Sequence, residues 1–146
     1  MSVPISVGDQ VTFRRRVLLS DILLYAGITG DFSPNHVDKR SALGTDVGRI
    51  AHGTLIMGLM STASSLLHES HGRPTVSYGY DRVRFVRPVR VGDVITTRYT
   101  VEELDLARSR GFSNIACTNQ EDAVVAVARH ITQFLDPGGL TPRGAS

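Results

Sequence analysis

Apolar residues recur along this chain with two different periods, and the change from one to the other near Pro74 divides it. Residues 10–17 alternate, with Val11, Phe13 and Arg15 on one side, and predict a first strand. Ser20 and Asp21 then open a helix. Ser20 suits the N-cap, Asp21 suits the positive helix end, Ile22, Leu23, Tyr25 and Ala26 form a short apolar face, and Gly30 serves as a left-handed C-cap. A longer helical pattern covers 53–69, with Leu55, Ile56, Leu59, Met60, Ala63, Leu66 and Leu67 on the face meant for burial. Gly58, Ser61, Thr62, Ser64 and Ser65 keep its other side small, as if a second surface came close to the backbone. Gly72 and Pro74 end this helix, and His68 and His71 near its end read as caps favoured by the dipole.

Beyond Pro74 the period is two. Strands are predicted over 75–85, 94–103, 110–118 and 123–134, separated by Pro88 with Gly92-Asp93, by a charged turn, and by Gln120-Glu121-Asp122. The last is apolar on both faces at Val124, Val125, Ala126, Val127 and Ala128, which places it inside a sheet. Short links argue for an antiparallel meander, and one long apolar helix suggests a sheet wrapped around it, an α+β domain over 1–135. The Gly- and Pro-rich tail, 136–146, is expected to be flexible.

The length of 146 residues suits one domain. A net charge of +2 and a pI near 9.0, with arginines dispersed, do not suggest nucleic acid. No apolar run of about 18 residues and no charged start leading into a hydrophobic segment is present, so neither a membrane span nor a secretory signal is expected, and a cytoplasmic location follows. Cys117 is alone, which excludes an internal disulfide and a multi-cysteine metal site; it reads as a small buried hydrophobe.

The candidate chemistry lies in Thr29-Gly30-Asp31-Phe32-Ser33-Pro34-Asn35-His36-Val37-Asp38, where a carboxylate and an imidazole stand five residues apart. Pro34 fixes its own φ and keeps Ser33 out of the α region, so the loop turns. Ser33 as N-cap and Pro34 at the first helical position predict a helical turn over 35–37. Asp31 and His36 could then point into one space and share acid/base work. The same residues are also ordinary turn formers, and spacing alone leaves both readings open. Asp31, His36 and Asp38 lack a second histidine or a ligand spacing, so no metal is expected. Arg82, Arg84, Arg87 and Arg90 cluster around one strand and turn. They read as a solvated sheet face, with phosphate binding by Arg84 and Arg87 as the alternative.

The run Tyr25-Ala26-Gly27-Ile28-Thr29-Gly30-Asp31-Phe32-Ser33-Pro34-Asn35-His36-Val37-Asp38 resembles the signature of MaoC-like dehydratases and (R)-specific enoyl-CoA hydratases. Ile50-Ala51-His52-Gly53 is similar to that family's His-Gly entry to its central helix, and Ser61 falls where many members carry a small polar residue. Val83-Arg84-Phe85-Val86-Arg87-Pro88-Val89 with Val91-Gly92-Asp93 is similar to the strand and turn that follow. The likeness spans about residues 10–134. It implies a hot-dog fold, a homodimer with paired sheets, and a hydro-lyase that adds water to trans-2-enoyl-CoA, or removes it from the (R)-3-hydroxyacyl thioester.

The resemblance implies Asp31 and His36 as the catalytic pair and the Gly53 N–H as donor to the thioester oxygen. It implies no metal or organic cofactor, with coenzyme A only as part of the substrate. Elementary chemistry agrees, since a free N–H at the positive end of a helix stabilises an enolate-like oxygen, and glycine admits close approach. Asp31 is read as the base that activates water, His36 as the group that orients it and supplies a proton, and His52 as support at the helix entrance. Ser33 stands where the family commonly has asparagine, and serine lacks the amide's reach and second donor. An acyl-carrier-protein dehydratase, a hot-dog acyl-CoA thioesterase and a non-catalytic acyl-thioester-binding subunit are alternatives; Gly-Asp-x-Ser-Pro-x-His argues for hydration.

Overall fold

The computed structural model describes residues 5–40 and 48–135. The predicted tail lies outside them. Five strands form one antiparallel sheet: β1 (Gln10–Arg16), β2 (Thr75–Phe85), β3 (Val94–Asp105), β4 (Arg110–Thr118) and β5 (Val124–Phe134), in the order β1-β3-β4-β5-β2. Three helices precede β2: α1 (Leu19–Thr29), α2 (Pro34–Val37) and the long α3 (Gly53–His71). Ile56, Met60, Ala63 and Leu67 of α3 enter one core with Ile95, Tyr99, Val101, Ile115, Cys117 and Val125 of the sheet. This is the hot-dog arrangement, and it follows from one helical face meeting the inward alternate positions of the strands.

The sheet is not the simple meander that short links suggested. β3, β4 and β5 do follow one another, but β2 pairs with the far side of β5, so the segment 86–93 crosses between sheet positions that are not neighbours. β5 is internal, as its two-faced apolar run predicts, while β4 is the middle strand. The crossover carries the chain past the start of α3. Ala51 N–H donates to the Val89 carbonyl at 2.8 Å, and Gly92 N–H donates to Val17 at 2.7 Å.

The start of α1 differs from expectation. The N-cap of α1 is Leu18, not Ser20, because Asp21 reaches back and accepts the Leu18 N–H at 2.8 Å, starting the helix a residue or two earlier. Gly30 and Gly72 are the left-handed caps, with φ of 78° and 63°. His71 behaves as a cap, its Nδ1 donating to the Leu67 carbonyl at 2.8 Å. His68 does not. It is buried, with Nε2 3.3 Å from Thr132 Oγ1, in a network that joins Ser64, Tyr99, His130 and Ser77.

The small side of α3 is only partly as expected. Ser64 belongs to the buried network, whereas Gly58, Ser61 and Ser65 are exposed, and no described atom comes within 4 Å of a Cβ placed on Gly58. Leu66 is also exposed. Cys117 is buried beside Thr97, and burial pushes its thiol pKa up.

Candidate active site

Asp31 leaves α1 just past its glycine cap, and its Oδ1 accepts the Ser33 N–H at 3.1 Å, which folds the loop back on itself. Pro34 then starts α2. Ser33 is its N-cap by position, yet the hydroxyl makes no cap bond; its backbone carbonyl accepts the His36 N–H at 2.9 Å. Ser33 thus supports the turn through its main chain, which any residue supplies.

His36 Nδ1 lies 2.8 Å from the Ile50 carbonyl. A carbonyl only accepts, so Nδ1 carries the hydrogen, and Nε2 is the nitrogen that faces Asp31. Asp31 Oδ2 is 4.0 Å from it. That gap is too long for a direct hydrogen bond and short enough for one water to touch both groups. His36 is half-buried, whereas the Asp31 side chain is 53% exposed.

A second histidine joins them. His52, the N-cap of α3, is 2% exposed, and its Nε2 donates to the Asp31 carbonyl at 3.0 Å while lying 4.0 Å from Asp31 Oδ2. Its ring stacks on His36, with centroids 3.8 Å apart and planes 25° apart. Asp31, His36 and His52 have one ligand-type atom each within 4.8 Å of the others. The trio does not fit a metal ion. Near-parallel stacked rings send their in-plane lone pairs side by side instead of to one point, and His52 Nε2 already holds its hydrogen toward a carbonyl. Asp38 stands apart, its carboxylate accepting the Arg40 N–H at 2.8 Å.

Next to His36 is a cavity of about 410 Å³, lined by His36, Gly53, Phe85 and Arg87 with Ile56, Val89, Val125 and Ala126. Gly53 is the first residue of α3, so its N–H has no acceptor within the helix. Glycine here makes room for a side chain as well. A Cβ on Gly53 would lie 2.7 Å from Phe85 Cε2.

The other expected residues divide. Arg87 lines the cavity, with Nη1 donating to the Val124 carbonyl at 2.7 Å. Arg84 is exposed and its Nη1 turns back to the Val83 carbonyl; one residue before Phe85 on a strand, it belongs to the opposite face of the sheet. Ser61 is exposed and lies about 12 Å beyond Gly53 along α3, outside the cavity wall.

Three contributors escaped the sequence reading. Tyr25 was placed only in an apolar helix face, yet its hydroxyl donates to Thr54 Oγ1 at 2.6 Å and its ring tilts against His52 at 4.8 Å. Its position inside the quoted signature was the available signal. Ile50 acts through its carbonyl, and Phe85 through a ring contact that joins β2 to α3. Backbone acceptors and distant contacts leave no local sequence mark.

Comparison with known proteins adds the following. Residues 4–125 match the family model described as a MaoC like domain. A 3-hydroxybutyryl-CoA dehydratase of Methylorubrum extorquens is 34% identical over 115 residues, 78% of this chain and 70% of that protein. An (R)-specific enoyl-CoA hydratase of Rhodospirillum rubrum is 35% identical over 101 residues, 68% of each. The unliganded R-hydratase PhaJ1 of Pseudomonas aeruginosa superposes with a TM-score of 0.77 at 26% identity, covering 97% of this chain and 94% of that one.

Proposed function

We propose, from the premise that the chain belongs to the MaoC-like family, that it hydrates trans-2-enoyl-CoA to the (R)-3-hydroxyacyl thioester or runs the reverse dehydration. It is an enzyme of the hydro-lyase class. The observation that carries the specific reading is the 4.0 Å gap between Asp31 Oδ2 and His36 Nε2 beside the helix-start amide of Gly53. In hydration, Asp31 takes a proton from the water held in that gap, and the oxygen bonds to the β-carbon. The thioester carbonyl gathers negative charge at the Gly53 N–H and the positive end of α3. His36, protonated at Nε2, delivers its proton to the α-carbon. The proton on Asp31 then returns to His36 through the next water, so the pair is restored.

The names of the relatives favour coenzyme A as the carrier, and Arg87 on the cavity wall is the guanidinium assigned to its phosphates. The reaction so written needs neither a metal nor an organic cofactor. A homodimer is part of this reading: β2 is an edge strand of 11 residues that exposes Val76 and Tyr78. Such an edge pairs readily with a second copy.

Purified protein is expected to bleach the conjugated absorbance of crotonyl-CoA, and Asp31→Asn and His36→Ala are each expected to lose at least about a hundredfold in rate. Full activity in both variants would overturn the assignment.

A further inference from the structure

The segment 50–52 holds the loop of Asp31 and His36 at both ends, once through a carbonyl and once through a ring. Ile50 accepts the hydrogen of His36 Nδ1, and two residues later His52 Nε2 donates to the Asp31 carbonyl. We infer that His52 is a positioning residue for water addition, one that sets the separation and orientation of Asp31 and His36 without exchanging a proton itself. The inference rests on those two residues being the reacting pair.

The tautomer carries the point. Asp31's carbonyl can only accept, so His52 Nε2 holds the hydrogen, and Nδ1 is left buried without a partner among the described residues. A ring with one nitrogen committed to a main-chain carbonyl and the other sealed away has no route for passing a proton to substrate. His52 also stays off the cavity wall. Its remaining contacts are mechanical. One is the His36 ring, stacked at 3.8 Å; another is Tyr25, whose hydroxyl is tied at 2.6 Å to Thr54 in the first turn of α3. A 2% exposed ring anchored to the long helix therefore fixes a carboxylate-bearing residue that is half in solvent. Without it, His36 keeps its hydrogen bond at Nδ1 but loses the stacked ring that limits turning about that bond.

The test combines steady-state kinetics on crotonyl-CoA with nitrogen NMR of histidine-labelled protein. His52→Leu is expected to lower kcat roughly a hundredfold, the scale for a displacement of about 1 Å at a reacting group, with KM within about threefold. His52→Gln places an amide N–H near the position of Nε2 and is expected to recover at least about tenfold of that loss, with thermal melts of the two variants alike. In wild-type protein the spectrum should show the His52 hydrogen on Nε2 and a hydrogen on His36 Nδ1. A His52 hydrogen found on Nδ1, or equal kcat in the Leu and Gln variants, would overturn the inference. Should His52→Leu not fold, the wild-type spectrum and the Gln variant decide. A wild-type protein that turns over no enoyl thioester contradicts the water-addition reading instead, and the tautomers still test the clamp.

Discussion

The hydrogen that His36 directs at Ile50 leaves Nε2 as the nitrogen facing Asp31, and Gly53 beside it, first in α3, has an amide with no acceptor within the helix. At this scale the Gly53–Phe85 contact makes the sharpest prediction. A methyl on Gly53 would meet the far edge of the Phe85 ring at 2.7 Å, so the ring must swing away from the helix end, and the ring is part of the cavity wall. Gly53→Ala is expected to lose about tenfold or more in turnover of crotonyl-CoA while melting within a few degrees of wild type. Adding Phe85→Leu should recover part of the rate. Unchanged turnover in Gly53→Ala would show that the ring's place is unimportant. That Asp31 and His36 face each other near the start of α3 was legible because each stands in local geometry that spacing can express. The place of His52 at the entrance of α3 was legible, but its stacking on His36 was not, because that depends on two segments meeting in space.

Among the elements, α3 carries the most, since it fills the core, opens at the site and buries an imidazole. Its His68 and the facing His130 of β5 are both held by burial at a pKa of about 4, below the ordinary 6.5, with a smaller push from the charge of His71 on His68 and of His68 on His130. The unfolded chain therefore takes up these protons first as pH falls. The stability tied to the neutral rings is complete above about pH 6.5 and is lost as pH drops from there toward 4. Urea unfolding at about pH 7 and about pH 5 should show a lower unfolding free energy at the acid value, by an amount of order 1 kcal/mol or more. Equal stability at both would contradict the burial account. Glycine caps and period mark the C-terminal ends of α1 and α3, but they do not distinguish a capping His71 from a buried His68. Position near a helix end says nothing about which face the sheet covers.

For the whole molecule, strand number and fold class followed from alternation and from one long apolar helix, whereas strand order did not. A link of eight residues between β2 and β3 reads like a hairpin connection, yet it crosses the sheet because β5 takes the place beside β2. Period-two patterning is the same for either arrangement. The proposed dimer pairs at the exposed β2 edge, so Val76→Lys with Tyr78→Lys should shift sedimentation from dimer toward monomer. A wild-type protein that sediments as a monomer at assay concentration would refute it. The central claim is tested most directly by product analysis after incubating crotonyl-CoA with wild-type protein and with Asp31→Asn. The account predicts (R)-3-hydroxybutyryl-CoA from the wild type and almost none from the variant; the (S) product, free thiol, or undiminished hydration by Asp31→Asn would contradict it.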